Sequence, residues 1–451
     1  MRRWLIVLVT TVVLSGLVTW LVIWFRGQVL PPIKVGILHS ETGPMAISEK
    51  SMIDAEKLAL EEINKRGFLG REIEWVVADG RSDWPTFAQE ARRLIDKEGV
   101  SVIFGCWTSA SRKSVKPVVE QMRHLLVYPM AYEGLEQSPN IIYTGAAPNQ
   151  QVIPALSWCY EHLKARKFFL VGSDYVWPHC VNEITKDQLK ALGAECVGES
   201  YVLFGSSDVD SSVESIRQAK PDVIISTVVG TSNAAFYQRL QTAGILAEQT
   251  PVVSFSIAED ELRTLPLPAM VGDYAAWDYF QSIERRENKE FVERFKKKYG
   301  ADRVTSDVIE AAYNSVWLWA RAVNEAGSEE IPDVIRALRR QSLNAPEGIV
   351  TVDEATQHTW RPVYVGRIRS DGQFDLVWSS EKPIRPIPYP RSRSRAEWDS
   401  FLENLYRTWG GWANPGTARG AGAAAARVSP SPTTATRTGL LSGSPLDRTS
   451  R

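Results

Sequence analysis

The chain has 451 residues, a formal net charge of −1 at pH 7 and 44% hydrophobic residues. This length is sufficient for two domains with full hydrophobic cores. The balanced charge argues against nucleic acid as a partner, because nucleic-acid-binding domains usually carry a strongly basic surface. Sixteen residues are Trp, and aromatic side chains often line sites for small ligands.

The usual signatures of catalysis and metal binding are missing from the sequence. Cys106, Cys159, Cys180 and Cys196 show neither a C-x-x-C pair nor zinc-type spacing, and they define no disulfide pairing. The sequence has no H-E-x-x-H, G-x-S-x-G, P-loop or G-x-G-x-x-G motif. A hydrolase would need a nucleophile with a positioned base, and no such pair stands out. We expect no enzyme activity, catalytic residue, cofactor or metal.

An uncharged run covers residues 4–25, between Arg3 and Arg26. Its length suits one membrane span, whereas a signal-peptide core is shorter and ends at a small-residue cleavage site. The sequence predicts an N-terminal transmembrane helix that acts as an anchor. The alternative is a long cleaved signal segment. Either interpretation places the rest of the chain outside the cytoplasm.

Strands and helices alternate from residue 33 onward, which predicts an α/β fold with parallel sheets and right-handed crossovers. The first series is strand 33–39, helix 50–65, strand 73–78, helix 84–97, strand 99–104, helix 113–122 and strand 125–129. The second series is helix 154–164, strand 167–172, helix 181–192, strand 195–203, helix 209–220, strand 222–229, helix 234–243 and strand 252–257. Two successive α/β lobes follow from this pattern.

The later segments no longer alternate between strand and helix. The predicted elements are strand 274–279, helices 288–299, 308–325 and 331–341, and antiparallel strands 350–352, 361–368 and 374–378. Residues 415–451 are rich in Ala, Gly, Ser, Thr and Pro. Such a composition buries too little apolar surface to fold, so we predict a disordered tail.

Aromatic and hydroxyl side chains recur where the strands of both series end. They are Trp107, Ser109, Tyr132, Asp174, Tyr175, Trp177, Thr231 and Ser256. Ligands of open α/β sheets bind at the carboxyl ends of the strands, where helix starts also leave backbone N–H groups free. Each residue taken singly is better explained by packing or helix capping. Their repetition in both series favours a ligand site.

Seven motifs carry a resemblance to a known family. They are FGCWTSASRK at 104–113, YEGLEQSPN at 132–140, YTGAAPNQQ at 143–151, VGSDY at 171–175, SFSIAE at 254–259, NAPEG at 344–348 and KPIRP at 382–386. From about residue 33 to 388 the chain resembles the periplasmic solute-binding proteins of branched-chain-type ABC transporters. Within them it is most similar to the urea and short-chain amide branch. The segment STVVGT at 226–231 is more similar to the amide-sensing regulator of that branch.

The resemblance implies a type I periplasmic-binding fold, in which two Rossmann-like lobes are joined by a hinge and enclose the ligand. Lobe 1 is expected to comprise residues 33–150 and about 276–349. Lobe 2 is expected to comprise residues 151–275 and about 350–388. By motif position, the ligand-binding residues are Ser109, Tyr128, Pro129, Tyr132, Tyr175 and Trp177, with Thr231 and Ser256 placed less securely. This chain has Met130 at the position after Tyr128 and Pro129 where the amide sensor has a small hydroxyl residue.

A urea-like solute suits these side chains. Urea is flat and neutral, its carbonyl needs donors and its NH₂ groups need acceptors. The Ser109 hydroxyl can donate, Tyr hydroxyls can do either, and the faces of Trp107 and Trp177 can exclude water. Asp174 or Glu259 could accept from the NH₂ groups, but a carboxylate beside a neutral ligand more often supports the site from behind or closes the lobes. A branched-chain amino acid would need a charged pair for its two ends, and none stands out.

These expectations lead to a predicted function. The chain is predicted to be a periplasmic or extracytoplasmic protein that captures urea or a short-chain amide and delivers it to an ABC permease. It would be anchored to the inner membrane by its N-terminal helix, or secreted if that segment is cleaved. The alternative is a membrane-anchored sensor of the same solutes that signals to a partner protein.

Overall fold

The computed structural model describes residues 15–16 and 31–414. The predicted anchor at 4–25 lies outside the described residues except for positions 15 and 16, and the predicted disordered tail at 415–451 lies entirely outside them. Among the helices of the described part, none combines the length and the apolar character that a membrane crossing requires.

The first sheet is wholly parallel, as the sequence predicts. Its strands are β1 (Ile33–His39), β2 (Ile73–Asp79), β3 (Ile103–Gly105), β4 (Leu126–Tyr128) and β5 (Ile141–Tyr143). They lie in the order β2-β1-β3-β4-β5. Helices cover both faces of such sheets, which explains the nearly continuous apolar runs of β3, β4 and β5. Strand β5 was not predicted, because its three apolar residues are too few to show a period.

The remaining strands form a second large sheet and a small one. They are β6 (Lys167–Ser173), β7 (Glu195–Val202), β8 (Val223–Thr227), β9 (Val252–Ser254), β10 (Tyr274–Trp277), β11 (Ser342–Asn344), β12 (Ile349–Val352), β13 (Thr359–Trp360), β14 (Tyr364–Ile368) and β15 (Phe374–Ser379). The large sheet has the order β15-β14-β10-β9-β8-β6-β7, and only its β14 and β15 pairings are antiparallel. The small sheet is β11-β12-β13. The two predicted α/β series therefore form two separate sheets.

Twelve α-helices lie within residues 31–414. They are α1 (Ala46–Arg66), α2 (Trp84–Arg93), α3 (Ser109–Gln121), α4 (Val152–Glu161), α5 (Val176–Leu192), α6 (Asp210–Ala219), α7 (Ser232–Thr242), α8 (Glu259–Leu262), α9 (Arg286–Tyr299), α10 (Asp307–Ala326), α11 (Ile331–Leu338) and α12 (Arg395–Trp409). Helix α10 packs against α1 and against β3 and β4, so this later helix lies against the first sheet.

One buried guanidinium connects the segments that pass between the sheets. Arg361, which follows β13, forms ion pairs with Asp278, Asp307, Glu310 and Glu347. All five side chains are at most 1% exposed. Because a buried charge is stable only when it is paired, this cluster ties the crossover segments to one another.

Helix α12 was not predicted and follows the last strand. Ser394 and Glu397 form a capping box at its start. Arg393 then binds Glu183 and Asp187 of α5 at 2.7 and 2.8 Å. The C-terminal part of the described chain therefore lies against α5, in the second lobe.

Candidate functional site

The start of α3 forms the first-lobe side of the candidate site. Thr108 is the N-cap, and its hydroxyl accepts the Ser111 N–H at 3.0 Å and the Trp84 indole N–H at 2.8 Å. The capping interpretation is therefore correct for Thr108. Ser109 is the first residue of the helix and caps nothing, which leaves its buried hydroxyl for another role.

Ser109 belongs to a buried network with Glu133 and Arg112. Its hydroxyl donates to Glu133 Oε2. Arg112 donates to Glu133 Oε1 at 3.0 Å and to Ser109 Oγ at 3.2 Å. The expectation that Ser109 donates to a ligand carbonyl is therefore corrected, because its only proton is engaged by Glu133.

The charges around this network compensate one another. Arg112 Nε lies 2.9 Å from Glu136, and Lys113 Nζ lies 3.1 Å from Glu136 and 3.6 Å from Glu133. Burial alone would raise the pKa of Glu136, but Arg112 and Lys113 outweigh burial and hold it well below its usual range. Two cations thus face two carboxylates.

Aromatic rings surround the network on the first-lobe side. The Tyr128 hydroxyl donates to the Trp107 carbonyl at 2.8 Å. The Arg112 guanidinium lies 4.8 Å from the Tyr128 ring centroid and 4.3 Å from that of Tyr132. Trp107 is 2% exposed, and within the described residues its indole N–H has no hydrogen-bond partner. Such a buried donor is costly unless it is satisfied, which suits a ligand acceptor.

The second lobe contributes Tyr175, the N-cap residue of α5. Its ring stacks on Trp84 of the first lobe, with centroids 6.3 Å apart, and meets Phe204 edge-on at 5.6 Å. Burial raises the pKa of Tyr175, and the nearby Tyr128 and Glu133 raise it further. The ring of Tyr175 therefore lies where the two lobes meet.

The lobes touch at further points, so the cleft is closed. The Ser51 hydroxyl of α1 donates to Asp260 of α8 at 2.6 Å. The loop at Pro44 lies against Gly230, where an added Cβ would come within 2.8 Å of the Pro44 carbonyl oxygen. Gly230 also has a φ of +62°, a conformation that favours glycine. This position permits the close approach of the lobes.

Several predicted residues have other contacts. Trp177 lies in the first turn of α5, buried and 6.4 Å from the Tyr175 ring. Pro129 is buried beside β4. The Tyr132 hydroxyl forms hydrogen bonds with His358 and with the Glu136 carbonyl. Thr231 is exposed at the start of α7, and the buried Ser256 donates to the Val228 carbonyl at 2.5 Å.

The two residues expected behind the site are held by other partners. Asp174 Oδ1 lies 2.8 Å from His179 Nε2, and Asp174 Oδ2 accepts from Asn414 at 2.8 Å. Glu259 accepts the Gln281 N–H at 2.7 Å, and its burial raises its pKa to about 8.

Sequence reasoning missed Trp84, Arg112, Glu133 and Phe204. Arg112 and Glu133 lie inside the quoted motifs, so their presence was visible. Their pairing was not, because it joins the start of a helix to a loop after the next strand. Trp84 appeared only as a helix start, and nothing local indicated that it would reach Tyr175.

Comparisons with known proteins extend over most of the chain. Residues 33–395 match the family model described as periplasmic binding protein domain. The Leu/Ile/Val-binding protein homolog 1 of Brucella melitensis is 23% identical over 331 residues, which cover 72% of this chain and 87% of that protein. A solute-binding protein of an ABC transporter from R. palustris, solved in complex with 4-hydroxybenzoate, aligns with a TM-score of 0.71 at 21% identity. That alignment covers 78% of this chain and 98% of that one.

A shorter match also exists. The limonene hydroxylase of Geobacillus stearothermophilus is 37% identical over 117 residues, 26% of this chain. The chain spans only 21% of that protein's length, so this similarity assigns no activity. The matches that cover most of the chain are to binding proteins, and their two-lobe α/β fold agrees with the sheets described above. The chain belongs to the periplasmic binding protein family of type I, whose members include the substrate-binding proteins of ABC transporters.

Proposed function

We propose that the chain is an extracytoplasmic solute-binding protein that captures urea or a short-chain amide between its lobes and delivers it to an ABC permease. The observation that carries this proposal is the compensated network at the start of α3. Arg112 and Lys113 are already paired with Glu133 and Glu136. A carboxylate ligand would have to compete for these cations, whereas a neutral solute leaves the pairs intact.

The proposed ligand contacts come from both lobes. Trp107, Ser109 and Tyr128 are contributed by the first lobe, and Tyr175 and Trp177 by the second. Pro129, Tyr132, Thr231 and Ser256 are retained as lining residues with a weaker claim, because the hydroxyls of Tyr132 and Ser256 are used elsewhere. The proposed lobe boundaries remain 33–150 with about 276–349, and 151–275 with about 350–388.

Closure follows from differential affinity. A solute that touches Ser109 on one lobe and Tyr175 on the other binds the closed state more tightly than the open state, and so shifts the population toward closure. The closed form would then be recognised by the permease.

A sensor is the second candidate. It is favoured by the segment at 226–231, which is similar to the amide-sensing regulator and includes the end of β8 next to the Pro44 contact. In this case the closed state would act on a signalling partner. Solute uptake by vesicles that contain the permease, with and without the protein, separates the two candidates.

Titration of the protein with urea, acetamide, formamide, leucine and 4-hydroxybenzoate tests the solute class. Trp84, Trp107 and Trp177 lie around the proposed site, so intrinsic tryptophan fluorescence is a suitable signal. We expect a saturable change with urea or an amide. A saturable change with leucine or 4-hydroxybenzoate alone would contradict the proposal and would favour the solutes named for the relatives.

A further inference from the structure

We infer that Glu133 and Arg112 fix Ser109 as a hydrogen-bond acceptor toward the cleft, so that the site selects an amide NH₂ group over the carboxylate of the corresponding acid. The inference deepens the proposed function and rests on it, because it assumes that the solute reaches Ser109. It concerns the direction of one hydrogen bond, and therefore a property of the solute separate from its size.

The direction follows from counting protons and lone pairs. A serine hydroxyl has one proton and two acceptor lone pairs. The proton of Ser109 is donated to Glu133 Oε2, and one lone pair accepts from Arg112 at 3.2 Å. The remaining lone pair can only accept. A ligand group at Ser109 must therefore donate.

Glu133 keeps its role as an acceptor because of its neighbours. Its side chain is fully buried, with Arg112 at 3.0 Å and Lys113 at 3.6 Å. A carboxylate that pairs with two cations offers only lone pairs, so it accepts the Ser109 proton. Charge-assisted hydrogen bonds of this kind are also stronger than neutral ones, so Ser109 is held in one orientation.

Tyr128, whose ring also contacts Arg112, repeats the same polarity. Its hydroxyl proton is donated to the Trp107 carbonyl at 2.8 Å. Its lone pairs are therefore left as acceptors, and burial keeps the phenol protonated by raising its pKa. Two hydroxyl oxygens around Arg112 thus have only lone pairs left for a ligand. Together they match a solute with N–H donors and oppose a carboxylate oxygen.

Matched amide and acid pairs test this inference. Acetamide and acetate have nearly the same shape, as do 4-hydroxybenzamide and 4-hydroxybenzoate, and they differ in whether the end group donates. We expect calorimetry on the full chain to show at least about thirtyfold tighter binding of the amide in any pair that binds, because a buried site that lacks its hydrogen-bond partner discriminates strongly.

Two substitutions locate the cause. Glu133→Gln places an amide beside Ser109 that can donate to it, which frees the Ser109 proton for the cleft. We expect the amide-to-acid affinity ratio to fall at least about tenfold. Glu136→Gln removes the same charge from the same two cations without contacting Ser109. It makes the cations more available to an acid and leaves the Ser109 proton on Glu133, so the ratio should fall less than in Glu133→Gln.

Ser109→Ala provides a second route if Glu133→Gln fails to fold, which circular dichroism would show. It removes the acceptor and should lower the affinity of the amide while leaving that of the acid unchanged. Equal binding of amide and acid by the unchanged protein would overturn the inference, and so would an equal fall of the ratio in Glu136→Gln. The absence of measurable binding for every amide and acid pair would also overturn it.

These results separate the inference from the proposed function. Tight binding of 4-hydroxybenzamide, with no binding of acetamide or urea, would overturn the proposed solute class and still support the acceptor role of Ser109. Equal binding of acetamide and acetate would do the reverse, since a short amide would be bound as proposed while Ser109 would not select it over the acid.

Discussion

At the residue scale, the ring and the hydroxyl of Tyr175 have separable roles. The ring stacks on Trp84 and meets Phe204, so it connects the lobes. Burial raises the pKa of the hydroxyl, and the charges of Tyr128 and Glu133 raise it further. We therefore expect the residue to contribute both to lobe closure and to ligand contact.

Substitution of Tyr175 separates the two roles. Tyr175→Ala removes both, and we expect solute affinity to fall more than about tenfold. Tyr175→Phe keeps the ring and should lose only the worth of one hydrogen bond, about 1 kcal/mol or roughly fivefold. Calorimetry on both variants measures the difference. Unchanged affinity in Tyr175→Ala would place the site elsewhere.

The residues at strand ends were predictable, and their partners were not. Ser109, Tyr128 and Tyr175 stand out because hydroxyl and aromatic side chains follow apolar strands. The direction of the Ser109 hydroxyl depends on Glu133, which is 24 residues away along the chain. A sequence contains no signal for which of two polar atoms holds the proton between them.

At the element scale, the segment after α12 reaches the candidate site. The Trp412 carbonyl accepts the Val176 N–H at 3.0 Å, and Ala413 pairs with Tyr175 in an antiparallel bridge. The Trp412 ring lies 4.9 Å from Lys113 Nζ of the first lobe. This short segment thus satisfies one of the free N–H groups at the start of α5 and contacts both lobes.

Truncation tests what this segment contributes. Removal of all residues after Gly410 takes away the contacts to Val176, Tyr175 and Lys113, and we expect about tenfold weaker solute binding than in a chain cut after Asn414. The comparison of the two truncations isolates residues 411–414. Equal affinities would mean that Tyr175 is positioned without them.

Element boundaries show where sequence reasoning succeeds. The long parallel strands and α10 were predicted within a few residues, because apolar runs and helical spacing are strong signals. Helix α5 starts at Val176 rather than at 181, since Pro178 is tolerated in a first turn. Helix α12 could have been predicted from its capping box and from the apolar residues at 398, 402 and 405. It was missed because it lies beyond the motifs that carry the resemblance.

At the scale of the whole molecule, buried titratable groups predict a dependence of stability on pH. Burial raises the pKa of Glu259, Glu261 and Asp273 to about 8. Burial lowers the pKa of His39, but the carboxylates of Glu56 and Glu49 outweigh it and raise the pKa to about 9. In each case the folded state binds protons more tightly than the unfolded state.

Stability should therefore fall as pH rises, because the unfolded chain loses these protons first. The contribution of the carboxyl groups is present below their unfolded pKa and lost as pH rises to about 8. That of His39 is lost as pH rises to about 9. We expect a Tm at least about 3 °C lower at pH 9 than at pH 6 by scanning calorimetry. Glu259→Gln should reduce this difference, and a Tm that rises with pH would contradict the assignment.

The two-lobe architecture was predictable, because motif resemblance and strand–helix alternation indicate the same fold. The solute was not, since proteins of this fold bind chemically different molecules, and the choice among them depends on a few polar groups. In the function proposed here, that choice depends on how Arg112, Lys113, Glu133 and Glu136 share their charges between the lobes.

Calorimetric titration of the protein with urea and acetamide, each repeated in the presence of excess leucine, tests the central claim most directly. We predict saturable binding of at least one neutral solute that leucine does not displace, since the cations of the site are already paired. Binding of leucine that excludes urea and acetamide would contradict the account, because an amino acid would then have displaced the paired charges around Ser109.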